Sequence, residues 1–159
     1  MIEITNLVSL WDFGKMLDIK PDNSNRKKRF NAEVKYSEHG CFLLFASGKC
    51  VATGFQSFKQ IQNDLNLTFE KKPKFVKLYL IVAKTKLPFR FNFYEMTKRH
   101  KNTSYEPEIY PALYWRDGKI CICCYDNGSL IITGATCITR MKTALVRFID
   151  TARRYKRSE

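Results

Sequence analysis

Acidic residues are scarce in this chain and histidine is scarcer: its 159 residues hold fifteen Asp and Glu against twenty-eight Lys and Arg, with two histidines. So few carboxylates and imidazoles leave little for acid–base or metal chemistry, and no two carboxylates are disposed for it. The phosphate-cradling G-x-x-x-x-G-K-[ST], the metal-binding H-E-x-x-H and the nucleophile elbow are all missing, so the expectation is no enzyme, no cofactor and no metal. No window approaches the ~18 uncharged apolar residues of a membrane span, and Glu3 interrupts the N-terminal apolar stretch that a leader would need. A soluble globular protein with no membrane partner is expected. What the chain does have is positive charge, a formal net +13, enough to attract polyanions. Nucleic acid is the leading partner class.

The length suits one domain or two fused half-domains, and 45% apolar residues with 14% aromatic residues can fill a core. Six cysteines are present, and their thiols are expected to be reduced in a cytosolic or nuclear compartment. Cys121 and Cys124 have C-x-x-C spacing. The run Ile120-Cys121-Ile122-Cys123-Cys124-Tyr125 nevertheless reads as a buried strand, on which residues three apart point to opposite faces. It is assigned to packing, not to zinc.

An internal repeat organises the rest. Phe45-Ala46-Ser47-Gly48-Lys49 through Thr53-Gly54 recurs in outline as Tyr125-Asp126-Asn127-Gly128-Ser129 through Thr133-Gly134, an offset of 80 residues. The same offset carries Phe30 onto Tyr110. An aromatic therefore stands fifteen residues before each of Phe45 and Tyr125. The duplication divides the chain into 1–72 and 73–159, with a polar hinge around Glu70-Lys71-Lys72-Pro73-Lys74.

Each half reads as a strand, a helical stretch, a three-stranded antiparallel meander and a closing helix. In the first strand Ile2, Ile4, Asn6, Val8 and Leu10 share one face, while Leu7 and Trp11 take the other. Asp117-Gly118 and Asn127-Gly128 are hairpin turns. Met141, Ala144, Leu145, Phe148, Ile149 and Ala152 form one helical stripe, and Ser57 with Gln60 fits a capping box ahead of Phe58, Ile61 and Leu65. Two helices per half on one side leave the other sheet face bare for a partner. Small Cys50 and Ala52 suit the helices, so Lys49, Val51 and Thr53 face outward, as do Ser129, Ile131 and Thr133.

These residues resemble the TATA-box-binding protein family. Ile4-Thr5-Asn6-Leu7-Val8-Ser9, Leu17-Asp18-Ile19, Lys28-Arg29-Phe30, Phe45 through Gly54 and Ser104-Tyr105-Glu106-Pro107-Glu108-Ile109-Tyr110-Pro111 carry the resemblance over nearly the whole chain. It implies an α+β saddle, in which two pseudo-symmetric repeats form one curved antiparallel sheet with helices on the convex face. The concave face would bind the minor groove of A·T-rich promoter DNA, with aromatic wedges kinking it. The implied wedges are Phe30 with Phe45 and Tyr110 with Tyr125. Asn6 would donate to base acceptors, Val8, Leu43, Val51, Leu80 and Ile131 would supply apolar contact, and Thr53 and Thr133 hydroxyls. Arg29, Ser47, Lys49 and Arg116 would reach the sugar–phosphate edge, and Cys123 and Asn127 stand at the positions answering Leu43 and Ser47. Glu106, Glu108 and Ile109 would form the stirrup that meets initiation factor IIB. The implied partners are double-stranded A·T-rich promoter DNA, the general initiation factors IIA and IIB and the RNA polymerase machinery, in the nucleus or at the site of viral transcription.

The departures from the family pattern weaken the second half. Aligning Leu17 with Phe89 makes Leu78 or Tyr79 the partner of Asn6, Lys49 answers to Ser129, and the second wedge pair is tyrosine, whose hydroxyls are costly in a base stack without a partner. The first half is short between Lys20 and Phe30. Two functions follow: a promoter factor that binds, bends and recruits, or a paralogue with weakened DNA binding that serves as a protein-interaction platform.

Overall fold

Strict alternation makes the first strand. β1 (Glu3–Asp12) buries Leu7, Ser9 and Trp11 on one face and leaves Asn6, Val8 and Leu10 half-buried on the other. Ser9 is polar in this core, and the Trp11 indole N–H donates to its hydroxyl at 2.8 Å. The computed structural model describes residues 1–21 and 31–158.

After β1 come β2 (Ala32–Tyr36), β3 (Cys41–Phe45), β4 (Lys49–Phe55), α1 (Phe58–Thr68) and β5 (Lys74–Lys86). Then follow α2 (Phe93–Arg99), β6 (Thr103–Tyr105), β7 (Ala112–Asp117), β8 (Ile120–Tyr125), β9 (Ser129–Ala135) and α3 (Ile138–Arg153). The nine strands form an antiparallel sheet in the order β2-β3-β4-β1-β5-β9-β8-β7-β6. The chain packs as two compact units, Thr5–Leu80 and Met1–Ile4 with Ile81–Glu159, so β1 and β5 each give residues to both. Hereafter these are the N-terminal and C-terminal units.

In the N-terminal unit α1 lies against β4, and Ile61 and Leu65 bury with Phe42, Cys50, Ala52 and Phe55. Its start is capped as the spacing predicts: Ser57 Oγ accepts from Gln60 N at 3.2 Å, and Gln60 Oε1 accepts from Gln56 N at 2.8 Å. In the C-terminal unit α3 covers β8 and β9 with Met141, Ala144, Leu145, Phe148 and Ala152, while α2 lies against β6. Ile149 belongs to the expected stripe but stays half-buried at its edge.

The two units share a register device. The β1–β4 ladder shifts between Leu7 and Ser9, and the β5–β9 ladder shifts between Ile81 and Ala83. Opposite the shifts stand Gly54 at φ +88° and Gly134 at φ +81°. A Cβ on Gly134 would collide with the Lys119 carbonyl oxygen, so only glycine fits there.

A helix was expected after the opening strand of each half: α2 is that helix in the second half, while in the first residues 13–21 form none and residues 22–30 lie outside the described residues. Instead, Phe13 N donates to Gly48 O and Leu17 N to Ala46 O, tying the segment to the β3–β4 turn. Three helices, not four, are present among the described residues. The partner of Asn6 also changes. Leu7 opposes Phe55 as Ile81 opposes Ala135, and Phe13 N reaches Gly48 O as Leu87 N reaches Gly128 O. These pairs set an offset of 74 residues, which makes Leu80 the counterpart of Asn6, in place of Leu78 or Tyr79.

Candidate nucleic-acid interface

Residues directly opposite in a ladder share a face, and that rule assembles in each unit a surface on the side away from the described helices. In the N-terminal unit Leu43 opposes Val51, Val51 opposes Leu10, and Phe45 opposes Ala32. Asn6, Val8, Leu43, Phe45, Val51, Thr53 and Leu80 lie on this face, half-buried, with exposed Lys49 at its end. Ser47 is exposed in the β3–β4 turn. Arg29 and Phe30, the expected phosphate contact and first wedge, lie outside the described residues.

The Asn6 amide is fixed by the glycine bulge. Its Oδ1 accepts from Gly54 N at 2.7 Å, satisfying a backbone N–H that the irregular ladder leaves over. The acceptor end of the amide is thereby occupied, and the NH₂ end remains as a donor on the bare face. Lys49 is also held, its Nζ 2.7 Å from Asp12 Oδ2. The lysine and the N–H of Gly14 hold the Asp12 carboxyl below the usual carboxylate range.

In the C-terminal unit Cys123 opposes Ile131, Cys121 opposes Thr133, and Arg116 opposes Cys121. Cys123, Tyr125, Ile131, Thr133 and Arg116 therefore share the bare face, while Ile122 and Cys124 are buried beneath α3. Cys121 and Cys124 point to opposite faces, as strand parity predicts. Burial pushes the thiols of Cys50 and Cys124 up to about 12, so both are inert packing groups.

The two expected wedge tyrosines meet. Tyr110 Oη and Tyr125 Oη are 2.6 Å apart, so each hydroxyl has a hydrogen-bond partner. That hydrogen bond, followed by burial, pushes the Tyr125 phenol up to about 12. Tyr114, half-buried on the same face, stacks on Tyr110 with centroids 5.8 Å apart. Tyr114 was missed at sequence level, although its alternation with buried Leu113 and Trp115 was a usable signal. Asn127 is exposed in the β8–β9 turn, where its Oδ1 accepts from Ser129 N at 2.9 Å. Glu106, Glu108 and Ile109 are exposed on the β6–β7 turn, which Ile109 N and Tyr110 N close by donating to Glu106 O.

One titratable cluster lies away from these faces. Asp64 of α1 is buried and accepts from Ser37 Oγ at 2.7 Å, His39 N at 2.9 Å and the His39 ring at 3.0 Å. His39 thereby ties the β2–β3 turn to α1.

A family model described as "Transcription factor TFIID (or TATA-binding protein, TBP)" matches residues 76–155. The TATA-box-binding protein of Methanothermobacter thermautotrophicus is 28% identical over 153 residues, covering 84% of this chain and 84% of its own. The TBP-related factor of Drosophila melanogaster is 30% identical over 155 residues, covering 84% of this chain and 68% of its own. Among solved structures, Methanococcus jannaschii TBP matches with a TM-score of 0.73 at 23% identity, over 96% of this chain and 98% of that one. The fold is therefore that of the TATA-binding proteins. With the family model spanning half its length, the chain belongs to the TATA-binding-protein family of transcription factors.

Proposed function

We propose that this protein is a transcription initiation factor that binds A·T-rich promoter DNA through the minor groove, bends it and recruits general initiation factors. The supporting observation is the bare sheet face in each unit, apolar with hydroxyls and one oriented amide, opposite a face packed by helices. Such a floor suits A·T pairs, whose minor groove presents the acceptors N3 and O2, and would meet the guanine amino group badly. The Asn6 NH₂ donates to those acceptors. Phe45 and Phe30 wedge one base step and Tyr125 with Tyr110 another, each pair belonging to one of the repeats 1–72 and 73–159. Arg29, Ser47, Lys49, Arg116 and Asn127 meet sugar and phosphate. The turn carrying Glu106, Glu108 and Ile109 receives factor IIB, while factor IIA and the polymerase machinery join the same assembly in the nucleus, or at the site of viral transcription for a viral source.

A bending assay by fluorescence transfer on a short A·T-rich duplex tests this. Phe45→Ala should abolish the bend, and equal affinity for G·C-rich and A·T-rich duplexes would refute minor-groove readout. Glu108→Arg should abolish factor IIB binding while leaving the duplex bound.

A second reading is favoured by Leu80 at the position answering Asn6 and by the mutually bonded tyrosines. In it the bend is lost and the chain serves as a platform for initiation factors. Factor IIB binding without any bend would select it.

A further inference from the structure

The C-terminal unit holds a cavity of about 520 Å³ whose charged lining, among the described residues, is all positive. Lys86 and Arg90 come from the end of β5 and the loop beyond, Lys156 and Arg157 from the segment after α3, and Asn127 and Gly128 from the β8–β9 turn. The backbone holds these pieces together: Arg157 N donates to Arg90 O at 2.9 Å, and Leu87 N to Gly128 O at 2.7 Å. No Asp or Glu is among the described residues that line the cavity. None of the four cations pairs with a carboxylate among the described residues.

The described residues of the N-terminal unit carry different groups at the matching positions. At the offset of 74, Lys86 answers to Asp12, which is neutralised by Lys49, and Arg90 answers to Met16. Lys86 opposes Ser129 in the ladder where Asp12 opposes Lys49. The cation missing at Ser129 is thus replaced across the strand by one with no acidic partner among the described residues. Four like charges around one cavity repel, and an anion relieves that repulsion. Guanidinium forks and ammonium groups together are the donor set that phosphate oxygens accept from.

We propose that this cavity takes phosphates of a nucleic-acid backbone, gripping duplex that continues past the base-facing sheet; this rests on the reading of the chain as a DNA-binding factor. Two features favour a backbone over a small anion. Four positive charges exceed what one phosphate neutralises. The turn that lines the cavity also begins just after Tyr125, a residue of the bare face, so the cavity and that face share one stretch of chain.

Two duplexes read it: an A·T-rich core of about one helical turn, and the same core extended on both sides. The wild-type protein should bind the extended duplex more tightly. The variant Arg90→Gln/Arg157→Gln should erase that gain, at least about fivefold near 0.1 M salt, and lower the salt slope on the extended duplex by about two. Its affinity for the core should not change. Lys98→Gln/Lys142→Gln removes equal charge from α2 and α3 and should keep the gain. A gain that survives in the arginine variant, or is lost equally in the lysine variant, overturns the proposal. If the wild type binds neither duplex, the DNA-binding reading fails by itself, and inorganic phosphate then reads the cavity. Amide shifts at Asn127 and Gly128 that vanish in the arginine variant would reassign it to a small anion, overturning the nucleic-acid source. No shift would overturn the anion site altogether.

Discussion

At the scale of residues, three hydrogen-bonded groups hold energies that their chemistry makes measurable. Asp64 is buried, and burial alone pushes its carboxyl up, but the hydrogen bonds from Ser37 and His39 outweigh this and hold it below its usual range. Its contribution is complete above about pH 3.8 and fades as pH falls through the folded value. The hydrogen bond to Asp64 also holds His39 above its ordinary value, so the part due to the charged ring is complete below about pH 6.5 and is lost as pH rises through the folded value. Asp64→Asn should cost about 1 to 3 kcal/mol in urea unfolding. A pH series of melting temperatures above pH 6.5 should show a decline in the wild type that His39→Gln lacks. The tyrosine pair gives a second measurement. Ultraviolet titration should show one phenol ionising near pH 12, and Tyr110→Phe should return it toward its ordinary range. Asn6 gives a third: Asn6→Ala leaves the Gly54 N–H unpaired and should cost about 1 kcal/mol and reduce the preference for A·T. Leu80→Asn should strengthen binding to A·T-rich duplexes in the same assay.

At the scale of elements, α3 and the glycine bulge carry the C-terminal unit. Phe148 is fully buried against Phe91 and Trp115, and Phe148→Ala should cost about 3 to 5 kcal/mol by chemical denaturation. Gly134→Ala meets both a positive φ and the Lys119 carbonyl, whereas Gly118 has positive φ but open space around its Cα. The first change should cost about 2 kcal/mol or more and the second about 1, a contrast that thermal melts would read. The helical stripe, the capping box and the hairpin turns were legible in the sequence because each obeys a fixed local period. The non-helical course of residues 13–21 was not, since backbone bonds from Phe13 and Leu17 tie that segment to the β3–β4 turn.

At the scale of the whole molecule, net charge and duplication lead to the polyanion partner and to the two bare faces. The number of phosphates gripped should appear as the slope of log affinity against log salt. Lys49→Ala should lower affinity for every duplex and reduce that slope by about one. The choice of Leu78 or Tyr79 came from anchoring the repeat on Leu17 and Phe89, loop residues beyond the ladders. Register set by the two bulges places Leu80 there instead.

Alternation, the 80-residue repeat, the hairpin turns and the excess of Lys and Arg belong to the sequence alone, because strand parity and helical period act between neighbours along the chain. Tertiary structure decided that a hydrophilic Asp64 is buried, that Tyr110 and Tyr125 satisfy each other, and that Lys86, Arg90, Lys156 and Arg157 surround one cavity. Each depends on which distant segments the ladder register brings together, and no local pattern encodes that distance.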